Sequence, residues 1–203
     1  MRLHRSLLLS LLAATPPAAA QLPAGHPGWQ LGGGVEAVQF AHVAVSQAAP
    51  GVAAKVRPSA RPAVRLSVGR AVGMWNLELE GGWAGGHIEV GNDVVSVQDR
   101  QAEVSRYRLA LAVGHRIAAI GAGGVEVALA PTLDLWSVEG DGRPRAGAEA
   151  RLALRVPLGA VELDNRVCAG VSGSPVEAED IGEVSDLRGL RTLSVGIGLR
   201  FGI

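Results

Sequence analysis

Glu36, Arg65, Glu78, Glu80, Arg106, Arg108, Glu126, Asp134, Arg145, Glu149, Arg151, Arg155, Glu162, Asp164, Arg166 and Arg200 fall on alternate positions of segments whose other positions are apolar. Eight of them are acids and eight are arginines. The planar guanidinium can bond both oxygens of a carboxylate, so such a set can neutralise itself in a confined space. A second group, His87 with Asp93, Ser96 and Asp99, combines a base, a hydroxyl and carboxylates of the kind that acyl transfer uses. Its spacing matches no nucleophile motif, and loops are rich in Asp and Ser for reasons of turn geometry. No catalytic residue is assigned.

Other candidate chemistry is thinner. The five histidines are dispersed without metal-ligand spacing. The acidic stretch Glu177–Glu183 lacks the spacing of a calcium loop. Gly32–Gly34 and Gly121–Gly124 carry no Lys–Ser/Thr pair to grip a phosphate. No metal and no cofactor is expected. Cys168 is the only cysteine, so the fold must hold without an internal disulfide, and no role is assigned to it.

The segments that carry the sixteen charges read as strands. Period-2 alternation recurs around Trp29–Val45, Ala63–Val72, Trp75–Trp83, Tyr107–Val113, Val125–Leu135, Ala146–Val156, Val161–Val171 and Leu190–Ile203. Ala102–Val113 also admits a helix, but its second half alternates strictly. The connections at Ser46–Arg61, Gly85–Gln101 and Gly173–Asp186 are long, and Glu139–Pro144 is shorter. Between them lie tight joints at Ala71–Met74 and Pro157–Gly159, while His115–Gly124 is longer than that rhythm predicts. The sequence therefore predicts an all-β fold, an eight-stranded antiparallel up-and-down barrel with long loops on one rim and short turns on the other.

Residues 1–20 have the order of an export signal: Arg2 and Arg5, an apolar run Leu7–Ala14, then Ala18–Ala20. The run is too short for a spanning helix, which needs about 20 apolar residues. The expected division is a signal peptide at 1–20 and a barrel domain at 21–203. The remaining length suits one domain. Nineteen basic and nineteen acidic side chains cancel, and no basic stripe points to nucleic acid. Eighteen of the nineteen basic residues are arginine.

Alternation alone leaves open which face is inside. The polar face mixes its charges with Gly32, Gly34, Gly69, Ala110, Ala112, Gly114, Ala128 and Ala130. Small residues gain nothing on a solvated strand face. An eight-stranded lumen is just wide enough for side chains to fill, so long arginines need small neighbours there. The charged face is therefore expected inside and the Val, Leu and Ile face in lipid. Trp29 and Trp75 at one rim, and Trp83 and Trp136 at the other, are expected in interfacial girdles, although Trp136 falls on the polar parity of its strand.

The closing segment carries Val195, Ile197, Leu199, Phe201 and Ile203 on one face. This pattern resembles the C-terminal recognition signal of outer-membrane β-barrels, with Ile203 in place of the usual final Phe. Strand number and length resemble the small eight-stranded OmpX/OmpA-like barrels. The resemblance implies that the last strand is read by the barrel assembly machinery and then pairs with the first. It also implies residence in the cell outer membrane, with outer-membrane lipid as the surrounding partner. The function expected is structural and non-enzymatic: an ion-paired, side-chain-plugged lumen with loops that engage envelope or external partners, in a monomer. Some small barrels of this kind modify lipid A, which is the alternative for the His87 group. A soluble periplasmic barrel that binds an apolar ligand is the third reading.

Overall fold

The computed structural model describes residues 28–49, 52–59, 61–91, 96–121, 123–138, 140–177 and 184–203. The expected signal peptide at 1–20, Asp93, and residues 178–183 of the acidic stretch lie outside the described residues.

Strands account for nearly all of what is described. They are β1 (Gly28–Phe40), β2 (Ala44–Ala49), β3 (Val52–Pro58), β4 (Arg61–Val72), β5 (Trp75–Gly91), β6 (Ser96–Ile120), β7 (Gly123–Val138), β8 (Asp141–Leu158), β9 (Val161–Ser172), β10 (Val184–Leu187) and β11 (Leu190–Gly202). Eight of them, β1, β4, β5, β6, β7, β8, β9 and β11, form an antiparallel ring. The ring closes where β1 pairs with β11, from Gln30 opposite Gly202 to Phe40 opposite Thr192. Closure leaves no strand edge in the wall, which a sheet in lipid requires.

The turns between ring strands fix up-and-down order. Gly73 and Met74 join β4 to β5, and Gly159 and Ala160 join β8 to β9. Gly73 has φ +62° and Gly159 has φ +72°, the left-handed conformation that two-residue hairpins demand and that glycine adopts without a Cβ penalty. These turns and both ends of the ring share one rim. The loops lie at the other.

Several boundaries differ from the sequence reading. The stretch Trp29–Val45 is not one strand: β1 stops at Phe40 and β2 resumes at Ala44. His115–Ile120 belongs to β6, with a register shift between Arg116 and Ala118, so the joint that looked too long is paired strand with a bulge. Strand β8 begins at Asp141, which turns the expected loop Glu139–Pro144 into a short connection.

Beyond the loop rim the sheet continues. β3 pairs with the end of β5, β2 with β3, and β10 with β2. Arg57 of β3 clasps Glu89 of β5 with two bonds, Nε to Oε2 and Nη2 to Oε1, each 3.0 Å. The long loops thus carry a side sheet.

Candidate functional site: the ion-paired lumen and its cap

Along every ring strand one face is buried and the other bare. Leu109, Val127, Leu154 and Ile197 are 50%, 38%, 39% and 50% exposed, while Arg106, Glu126, Arg155 and Arg200 on the opposite face of the same strands are buried. The greasy side is outermost. A wall that is apolar outside and charged inside suits hydrocarbon as its solvent, which is the arrangement of a transmembrane barrel.

The interior is built around Glu80. Its carboxylate receives Arg166 Nη1 at 2.6 Å and Arg151 Nη2 at 3.1 Å, with Arg108 at 3.9 Å and Arg65 at 4.0 Å. Asp164 is approached by Arg65 and Arg166 at 3.2 Å and by Arg200 Nε at 3.5 Å. Glu78 pairs with Arg200 and lies 3.6 Å from Arg166. Glu36 holds Arg65 Nε at 3.2 Å and accepts the Ser194 hydroxyl at 3.2 Å. Glu149 joins Arg108 at 2.5 Å and Arg151 at 2.6 Å. Glu126 pairs with Arg155, and Asp134 with Arg106 at 2.8 Å.

All the charges singled out in the sequence lie in this network except two. Arg145 sits at the loop rim, where it binds Glu177 at 2.5 Å and the Ser174 carbonyl at 2.6 Å. Glu162 is half-buried near the short-turn rim, in register with Arg200 and Pro157. Desolvation offsets much of the Coulomb gain in such pairs, but an ion left without a partner here would be costly.

Small residues make the room. Ala110, Ala112, Ala128 and Ala130 form a buried cluster on β6 and β7. A Cβ on Gly198 would come within 2.5 Å of Arg65 Nη2 and 2.7 Å of the Gly33 carbonyl oxygen. One small cavity among these side chains, bounded by Asn76, Glu78, Glu126, Arg151 and Arg155, measures about 10 Å³. That is room for about one water molecule at most.

Above the charges lies an apolar cap. Val38, Phe40, Val43, Val104, Trp136, Val138, Val176 and Leu190 pack together beneath the loops. Trp136 is 1% exposed, so it is not the girdle residue that the sequence suggested. Its place on the charged face of β7 points it inward. Trp29, Trp75 and Trp83 do face out. Arg106 joins cap and network: its guanidinium lies 5.8 Å from the Phe40 ring and 5.4 Å from the Trp136 ring while it holds Asp134. Residues 173–177 cross the mouth, with Val176 in the cap and the Pro175 carbonyl accepting Arg143 Nη1 at 3.0 Å. The cap was missed in the sequence, although Val38, Phe40, Trp136 and Val138 all share the inward parity.

The His87 group is not assembled by the described side chains. The backbone N–H of His87 donates to Ser59 Oγ at 3.1 Å, and in register His87 faces Glu103, while Asp99 faces Ile88. Among the described residues no set of three or more His, Cys, Asp or Glu is placed to hold a metal. Val195, Ile197, Leu199, Phe201 and Ile203 all project outward from β11 and its end.

No protein-family model matches this chain, and no curated protein sequence does. Solved structures do. Neisserial surface protein A (NspA) superimposes with a TM-score of 0.60 at 12% identity, over 87% of this chain and 97% of that one. The outer membrane protein OprG from Pseudomonas aeruginosa gives 0.57 at 12% identity, over 89% of this chain and 99% of that one. At that identity the likeness speaks for the fold, which is the eight-stranded barrel of small outer-membrane proteins.

Proposed function

We propose that this chain is a structural, non-enzymatic barrel of the outer membrane, closed to solutes by its own side chains, with loops that engage envelope or external partners. The observation that carries this reading is the bridging of the lumen from wall to wall by ion pairs such as Arg166 with Glu80. A hydrated ion needs a continuous water path, and the cap of Phe40 and Trp136 closes the mouth above the charges. The five outward residues of the last strand serve as the signal read by the assembly machinery, a reading supported by the position of β11 as the strand that closes the ring.

Planar bilayer recording tests the closed lumen. The expected trace has no stable conductance steps, and sustained large steps overturn the reading. Lipid A from cells with and without the gene is expected to be identical; a difference in acylation would replace the structural role with an enzymatic one.

A further inference from the structure

A polar side chain stands part-way up the lipid-facing side of the wall, among apolar neighbours. Asn165 of β9 points outward, since its neighbours Asp164 and Arg166 point into the lumen. It lies between Leu163 and Val167 along its strand, and across from Ile197 and Leu154. Its carboxamide has no hydrogen-bond partner among the described residues.

Depth narrows what could supply one. Asn165 stands four residues above Val161, the first residue of β9. With about 3.3 Å per residue and a strand tilt near 40°, that is roughly 10 Å above the short-turn rim, well inside an apolar band about 25 Å tall. Lipids offer hydrogen-bonding groups at the headgroup level, and hydrocarbon offers none. At this depth a bonding partner for the carboxamide comes from another protein chain and not from lipid. Polar groups inside a membrane pair with one another in this way.

The surrounding surface is shaped for a second wall. An outward furrow of about 900 Å³ crosses the strands beside Asn165, walled by Val35, Leu152, Leu154, Val167, Val195 and Ile197. Its floor is the intervening register row Glu36, Gly196, Arg166 and Ala153. The side-chain rows that border it repeat every two residues, so another copy of the same wall offers a ridge of matching spacing. Just above, Ala150 and Ala169 are paired and exposed, and their small side chains let two walls come close. A carboxamide has donors and an acceptor, so Asn165 can bond its own counterpart reciprocally across a two-fold axis.

We propose that the outward face of β8 and β9 is a dimer interface between two copies of this chain in the membrane, centred on Asn165. The inference rests on the membrane-barrel reading. It departs from the monomer expected of the sequence, where Asn165 was passed over within an apolar run.

Energy transfer in liposomes tests it, using full-length copies labelled at an introduced Asp141→Cys, because Cys168 is buried. Wild type should show transfer that persists as lipid is added. Asn165→Leu should need about a tenfold higher protein density for the same transfer. Asn165→Gln should keep most of it, and Ala169→Leu should weaken it. Equal transfer in wild type and Asn165→Leu overturns the interface. So does wild-type transfer no greater than random proximity, including the case where a tightly held lipid is found in its place. Heat-modifiable gel mobility, read on the same samples, reports whether each variant is a folded barrel. Wild type lacking that mobility, or found outside the membrane fraction, would overturn the barrel reading itself.

Discussion

Arg166 and Glu80 stand on opposite walls, β9 and β5, and meet at 2.6 Å across the lumen. Three strands lie between them in either direction around the ring, so their contact spans the full bore. The two walls thus reach each other through side chains of opposite sign.

Removing both partners of that contact should therefore cost less than the two single removals added together. Glu80→Ala leaves Arg166 without its nearest carboxylate and takes one of two from Arg151, and breaking a buried pair on one side costs about 3–5 kcal/mol. The double variant Glu80→Ala with Arg166→Leu should lose clearly less than the sum of the single losses. Urea unfolding of liposome-inserted protein, run as a double-mutant cycle, measures the coupling.

The small residues of the lumen make a second prediction with its own control. Gly198→Val places atoms where Arg65 Nη2 and the Gly33 carbonyl already sit, and overpacking of this kind costs about 1–3 kcal/mol. Gly81→Ala meets nothing within 4 Å and should leave the unfolding midpoint unchanged or raise it. Equal losses at both positions would show that glycine is needed for strand geometry and not for space.

Much of this was legible because a strand has only two faces. The parity of Glu78 and Glu80 against Leu77 and Leu79 alone places the charges together on one face. The same parity places Trp136 inside, but a tryptophan near a rim also fits a girdle, and only the neighbours decide; Phe40 and Val176 come from elements far away in sequence. The side sheet of β2, β3 and β10 was not legible. Its pairing is set by the loops' meeting above β5, a tertiary contact that alternation cannot report. Asn165 was hidden by its company, since one polar residue in an apolar run still leaves the run reading as lipid-facing.

The cap can be separated from the network. Trp136→Ala removes the ring that covers Arg106 and packs on Phe40 at a centroid distance of 5.7 Å. Large-to-small replacement of a buried tryptophan costs about 3–5 kcal/mol. On the proposed closed-lumen reading this variant should show no conductance, since the ion pairs below the cap are untouched. Conductance appearing in this variant alone would locate the closure in the cap instead.

The final prediction concerns which side faces lipid, and it compares adjacent residues. Leu109 is half-exposed on the outward face of β6, and Ala110 beside it is buried against the alanines of the lumen. Leu109→Arg puts a charge on the apolar wall, at about 2–4 kcal/mol near the midplane of the bilayer. Leu109→Ile should be nearly silent, because lipid adapts to shape where a packed interior does not. Ala110→Ile, the same side chain one residue on, should instead be destabilising, since there is no room beside Ala128 and Ala130. If the outward face were a solvated surface, the arginine would be tolerated. Unfolding midpoints in liposomes for these three variants decide the orientation of the wall.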